Sequence, residues 1–437
     1  MAKKASAGIA LLALAGLALS GCSARGADAA DNTIDGEVKG DLKVITWRTD
    51  LVEDGTFDDY VAEFEKLYPD VKVSVEGITD YEGEMKTRLS STNYGDVIGI
   101  PTMQPSQFEQ FLEPLGEKSD FEDTYRFLNT HSYEGTQYGL AVGGNANGVL
   151  YNTRVFEEAG VTELPTTEAE FLDALQAIKD ETDAIPLYTN YKEGWPLTQA
   201  FSNLGSVTND PDAGIHMAKD PAPWTKGTDV YAIDSLLYDA VAAGLTEEDP
   251  LTTNWEQSKV DIATGKIGAM TLGSWAISQM QAAAEENGAS ADDIGYMAFP
   301  AEADGTQYAV IGGDYNLGIS KHSKSKAAAW AWIQWFLQDS GFTQDQGMIS
   351  TVAAEELPAN LAGFDEAGVE LMETNPAPAG EESLLSDVSN DSQIDLWGPI
   401  YRQKLVDIAR GAADGDKESY FAELNERWGA SVEKLAQ

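Results

Sequence analysis

The chain has 437 residues, more than one ordinary core holds, since single cores stop growing near about 250–300 residues. Its 43% hydrophobic content supports sizeable cores, while 73 acidic against 28 basic side chains, net −45, leave no basic face for a nucleic-acid partner. One Cys and three His exclude an internal disulfide framework, an iron–sulfur cluster and a Cys- or His-rich metal centre, so no metal or other cofactor is expected.

Lys3 and Lys4 precede residues 5–20, ASAGIALLALAGLALS, which are apolar and small. This run is shorter than the about 20 residues that a spanning helix needs, and it ends in small residues, the pattern of a cleaved signal peptide. Cys22 follows directly in Leu19-Ser20-Gly21-Cys22. That segment resembles the bacterial lipobox, whose Cys is acylated and becomes the first mature residue. Buried acyl chains hold such a protein to a bilayer at about 0.8 kcal/mol per CH₂. Residues 22–40 then read as a polar, flexible tether.

From Leu42 to Trp47 the chain reads as a strand, and Phe57, Tyr60, Val61, Phe64, Leu67 and Tyr68 recur at helical spacing before Pro69. A strand over 71–75, a helix over about 80–91 and a strand over 96–100 complete a β-α-β-α-β order, which predicts a mostly parallel sheet flanked by helices. Ligands on such sheets lie beyond the carboxyl ends of the strands, where Trp47 and residues 101–104 fall. Strands over 138–142 and 148–151 flank a polar, flexible stretch at 143–147. A helix spans 167–180 and a strand 185–188. Residues 189–229 form a long loop region with short helical turns, a usual carrier of binding residues. Strands at 267–272 and 315–319 each lead into a helix. The helix at 324–338 carries Trp332, Trp335 and Phe336 on one face, an aromatic stripe read as core. Residues 396–436 read as two amphipathic helices.

Enzyme motifs fail. Gly273-Ser274-Trp275 lacks the flanks of a nucleophile elbow. Thr264-Gly265-Lys266 lacks the leading Gly of a P-loop, since position 260 is Val. Carboxylate pairs are too abundant to carry a signal, and a glycosidase pair facing across a cleft leaves no mark in sequence. Tryptophans at loops and strand ends (47, 195, 224, 255 and 275) say more, because an indole face suits the C–H face of a sugar ring.

Several segments together resemble the carbohydrate-binding group of bacterial extracellular solute-binding proteins, which serve ABC importers. They are the lipobox, the run Gly148-Val149-Leu150-Tyr151-Asn152 through Gly160, and Leu164-Pro165-Thr166-Thr167 through Phe171, where Thr167 stands at a frequent family Trp. Gly265 through Trp275 and Gly312-Gly313-Asp314-Tyr315 through Trp330 complete the set. The resemblance implies an α/β fold of two lobes, each a mostly parallel sheet flanked by helices and discontinuous in sequence. The chain is expected to cross near 140–147, 309–316 and 360–380. The divisions are 1–21 signal peptide, 22–40 tether, 41–142 and 312–365 one lobe, and 143–311 and 366–437 the other.

An oligosaccharide would bind between the lobes and be passed to ABC permease subunits without covalent change. The protein would be a monomer at the extracytoplasmic face of the membrane, held only through lipid on Cys22. The expected ligand-binding residues are Trp47, Arg48, Asp96, Gln104, Asn145, Asn147, Trp195, Trp224, Trp275, Asp314 and Tyr315. Trp275 matches the family's Gly-x-Trp, and Asp314 a polar position after paired glycines. Two alternatives stay open at this point: a secreted lipoprotein glycosidase, and the same binding fold with a non-sugar solute.

Overall fold

Residues 32–378 and 380–436 are described by the computed structural model. The signal segment, Cys22 and residues 22–31 of the tether lie outside the described residues. Residues 32–40 differ from the expectation of a flexible tether. The Asn32 amide donates to the Ser323 carbonyl at 3.0 Å, and Ile34 and Val38 pack on the adjoining core. Two apolar side chains spaced by polar ones are enough to seat the segment.

The first sheet has five strands in the order Val71–Gly77, Gly40–Thr46, Val97–Gly99, Asn316–Ile319 and Gly139–Ala141. The first two pairings are parallel and the last two antiparallel. Only Asn316–Ile319 therefore runs against the others. The helix Thr56–Leu67 buries Phe57, Tyr60 and Phe64, spaced to share one face. They meet Trp332, Trp335 and Phe336 of the helix Lys326–Gln338. The aromatic stripe is core, as its periodicity predicts.

The second sheet is built on Gly144–Asn152. Ile267–Gly273 pairs with it along one edge, while Ile294–Ala298 and Tyr308–Gly313 share the other, all antiparallel. Ile185–Leu187 and Glu370–Glu373 extend the sheet by parallel pairing. Here too one strand runs against the rest. In each sheet the strand that leaves the crossing region opposes the others, whose carboxyl ends point back toward it. This places the carboxyl ends of both sheets around one cleft.

The stretch 143–147, read as flexible from its composition, is the start of the Gly144–Asn152 strand. Gly144 and its strand partner Gly313 answer a packing need: a Cβ on Gly144 would lie 2.2 Å from the Phe127 ring, and one on Gly313 2.8 Å from Phe127 Cβ. Three chain passages are laced together there. Asp314 N–H donates to the Gly143 carbonyl at 2.9 Å, and Val142 N–H to that of Tyr315 at 2.9 Å. Gly144 and Ile349 exchange bonds of 2.8 and 2.9 Å. The third passage lies near Ile349, earlier than 360–380, and the helix Ala362–Ala367 already packs Phe364 on Tyr296 in the second core. The guanidinium of Arg126 holds this passage by donating to the carbonyls of Ser350, Val352, Ala353 and Glu355 at 2.8–3.1 Å.

Helices at the carboxyl end, Ile400–Ala409 and Lys417–Leu435, complete the second lobe. Their core holds an Arg402–Asp234 ion pair with both side chains fully buried, Nε to Oδ1 at 3.0 Å. Trp224 Nε1 donates to the other Asp234 oxygen at 2.8 Å.

Candidate functional site

The first wall of the cleft grows from the carboxyl ends of the first sheet. Trp47 follows the Gly40–Thr46 strand and lies across Gly99, where a Cβ would meet the indole at 2.6 Å. Glycine at 99 thus lets the ring lie flat. Tyr315 stacks on Trp47 with centroids 4.1 Å apart and planes at 21°. Tyr81 sets its edge to both rings, at 6.0 and 5.9 Å, and its hydroxyl donates to the Gly99 carbonyl at 2.8 Å. Burial raises the Tyr81 and Tyr315 hydroxyl pKa values, so both stay protonated donors at neutral pH. Glu82 accepts from the Thr102 N–H at 3.0 Å and faces the Tyr315 hydroxyl at 3.5 Å.

The floor is polar. Asn145 Nδ2 donates to Asp314 Oδ2 at 3.3 Å, and Asp314 Oδ1 accepts the Tyr315 N–H at 2.7 Å. Ser274 Oγ accepts the Ala146 N–H at 3.0 Å and lies 3.5 Å from Asn145 Oδ1. Asn147 Nδ2 donates to the Val310 carbonyl at 3.2 Å. Asn145 thus lies between Asp314, next to Tyr315, and Ser274, next to Trp275.

The second wall is a tryptophan cluster. Trp275 follows the Ile267–Gly273 strand and folds back over Gly273, where a Cβ would stand 2.6 Å from the indole Cδ1. Trp195 opens the helix Trp195–Gln199 after Gly194, whose φ of 77° is a left-handed value that suits glycine. Trp255 opens Trp255–Ala263, capped by the Asn254 side chain. The three rings lie 4.9–6.0 Å apart, centroid to centroid.

Trp47, Tyr315, Asp314 and Asn145 are thus joined by direct contacts, Asn147 lies two residues along the same strand, and Trp195 and Trp275 share the tryptophan cluster beside it. Arg48 lies beside Trp47, but its guanidinium is engaged by Asp50, with Nε–Oδ1 at 2.9 Å and Nη2–Oδ2 at 2.6 Å. Gln104 is exposed in the loop that follows the third strand. Two expectations fail. Trp224 is 2% exposed and packs between Tyr401 and Trp428 in the helical core; Pro223 and Thr225 give it a loop-like setting in sequence, and the helices that cover it come two hundred residues later. Asp96 sits at the amino end of its strand, away from the cleft, and its carboxylate accepts the Lys43 N–H at 2.8 Å and the Ser323 hydroxyl at 2.6 Å.

The sequence reading missed Tyr81 and Glu82 as site residues. Their signal was present, since they start a helix directly after the carboxyl end of the second strand. Trp255, absent from the expected ligand-binding residues, packs against both Trp195 and Trp275. Among the described residues no cluster of His, Cys, Asp and Glu could hold a metal ion, and no helix is long and apolar enough to cross a membrane.

The sequence profile of the bacterial extracellular solute-binding proteins matches residues 48–341. The chain belongs to this family. Among solved structures, this solute-binding protein is similar to BlMnBP1, a binding protein of an ABC transporter from Bifidobacterium animalis subsp. lactis in complex with mannobiose. The two share 36% identity over 91% of this chain and 95% of that one, with a TM-score of 0.79. BlMnBP2 of the same organism, a manno-oligosaccharide-specific solute-binding protein in complex with mannotriose, shares 36% identity over the same fractions with a TM-score of 0.78. A curated relative, the diacetylchitobiose-binding protein DasA of Streptomyces coelicolor, is 26% identical over 329 residues, 72% of either chain. These relatives are described as binding proteins. In this solute-binding protein, the family motif Tyr151-Asn152 has a structural task. Asn152 caps the helix Thr153–Glu158 and donates to the Ile262 carbonyl at 2.8 Å. Thr167, at the frequent family Trp, forms a capping box with Glu170.

Proposed function

We propose that the chain captures a neutral, mannose-containing oligosaccharide between its lobes and presents it to the permease of an ABC importer, leaving the sugar chemically unchanged. The observation that carries this reading is the pairing of two aromatic walls, Trp47–Tyr315 and the Trp275 cluster, across the floor of Asn145, Asp314 and Ser274. Flat indoles meet the C–H faces of pyranose rings, and amides and carboxylates take bonds from hydroxyls. Likeness to two manno-oligosaccharide binders supports mannose units. The lobes are 32–142 with 315–348 and 143–314 with 349–436, and they close by bending at the laced passages.

Melting curves with mannobiose, mannotriose and diacetylchitobiose test this reading. A ligand at a hundred times its Kd stabilises by about 2.7 kcal/mol, and scattering should show contraction of the protein. No shift with any oligosaccharide would refute the sugar reading, and release of shorter products would make the protein a glycosidase. The lipobox supports acylation of Cys22 as the link to the membrane. Cys22→Ser should move the protein to the soluble fraction, and unchanged retention would refute the anchor.

A further inference from the structure

Beside the tryptophan cluster lies apolar surface that the cleft does not use. Trp397 is 54% exposed and Ile400 73% exposed, high values for large apolar side chains. The loop that carries Trp397 and leads into the helix at Ile400 is firmly held. Asp395 Oδ1 accepts the N–H groups of Trp397 and Gly398 at 3.2 and 2.8 Å. Gln403 Nε2 donates to the Tyr191 carbonyl at 2.8 Å. Gly194, the residue before Trp195, lies so near Pro399 that a Cβ would meet its ring at 2.8 Å. The Trp397 indole stands edge-on to Phe201, centroids 6.2 Å apart at 88°, and Phe201 follows the helix that Trp195 opens.

The Trp397 loop thus adjoins the loop that presents Trp195 to Trp275, through the contact of Gly194 with Pro399. Core tryptophans spend their N–H groups within the protein, Trp224 on Asp234 and Trp428 on the Met217 carbonyl. Among the described residues, the indole N–H groups of Trp195, Trp275 and Trp397 donate to no acceptor, although the backbone N–H of Trp397 is held by Asp395. An indole with one open face and an unspent N–H suits a ring that offers C–H groups and hydroxyls together. The net charge of −45 favours a neutral polymer over an anionic one.

We infer that Trp397 forms an outer subsite for the units of a neutral oligosaccharide that project beyond the Trp275 cluster, so that longer chains bind more tightly than a disaccharide. The inference rests on the sugar-binding reading and adds chain-length selection to it. A stacked unit held by a pre-ordered loop contributes about 0.5–1.5 kcal/mol, about 3- to 10-fold in Kd.

Calorimetric titration of the wild type, Trp397→Ala and Trp397→Phe with mannobiose, mannotriose and mannohexaose tests it. In the wild type, Kd should fall about 3- to 10-fold from mannobiose to the longest chain. Trp397→Ala should abolish that gain with the mannobiose Kd unchanged, and Trp397→Phe should restore part of it. A flat length profile in the wild type, or the same gain in Trp397→Ala, overturns the subsite while leaving the sugar reading intact. Unchanged Kd values for every chain with reduced uptake into cells would make Trp397 a permease contact and also overturn it. No binding of any chain by the wild type overturns both readings.

Discussion

Trp224 and Trp275 look alike in sequence and should behave oppositely on truncation. Trp224 is 2% exposed, donates to Asp234 at 2.8 Å and sets its edge against Tyr401 and Trp428 at 6.0 and 5.7 Å. Its replacement by Ala leaves a cavity inside the helical core, a change that costs about 3–5 kcal/mol. At about 2–4 °C per kcal/mol for a unit of this size, the melting transition of the second lobe should fall by roughly 6–20 °C. Ligand affinity should stay within about twofold, since a tenfold change needs 1.4 kcal/mol at the site itself. Trp275 is only partly buried, and its ring borders the cleft with Trp195 and Trp255. Trp275→Ala opens space to solvent and should shift melting by no more than about 2 °C, within the range of surface changes. It should weaken oligosaccharide binding at least about tenfold, because large aromatics dominate contact energetics. Scanning calorimetry and titration on both variants decide. Tenfold weaker binding in Trp224→Ala at unchanged melting, or equal melting losses in the two variants, would refute the assignment of one to core and the other to cleft.

Gly273→Ala should weaken sugar binding about tenfold without unfolding the protein, because a Cβ would stand 2.6 Å from the Trp275 ring and turn it out of place; titration and melting curves check this. Arg402→Met should cost about 3–5 kcal/mol, since it leaves the Asp234 carboxylate buried with only the Trp224 N–H. Urea titrations of this variant beside the wild type check that loss, and equal stability of the two would count against the buried pair. His131, stacked on Phe108 at 5.3 Å, has its pKa pushed down to about 4 by burial. The unfolded chain binds that proton first, so this contribution is full above about pH 6.5 and is lost as pH falls toward 4. His131→Phe should flatten that part of the stability profile, and an unchanged slope would count against burial of the neutral ring.

Much of the architecture was legible because short-range periodicity survives in the sequence. The apolar spacing from Phe57 to Tyr68 gave a helix, the alternation at Val71–Val75 a strand, and the Trp332–Phe336 stripe a core face. Trp47 and Trp275 could be placed at the cleft because each ends a readable strand. Tertiary structure alone decided what depends on partners far along the chain. Trp224 becomes core because Tyr401 and Trp428 close over it, and Asp96 becomes structural because Ser323 supplies its donor. The stretch Gly143–Asn147 has the composition of a loop, yet it is strand from Gly144 onward, since a flexible sequence becomes extended when Ile349 and Tyr308–Gly313 offer it hydrogen bonds. Residue type and local pattern fix which side chains can do chemistry, and only long-range packing determines which of them share a cleft.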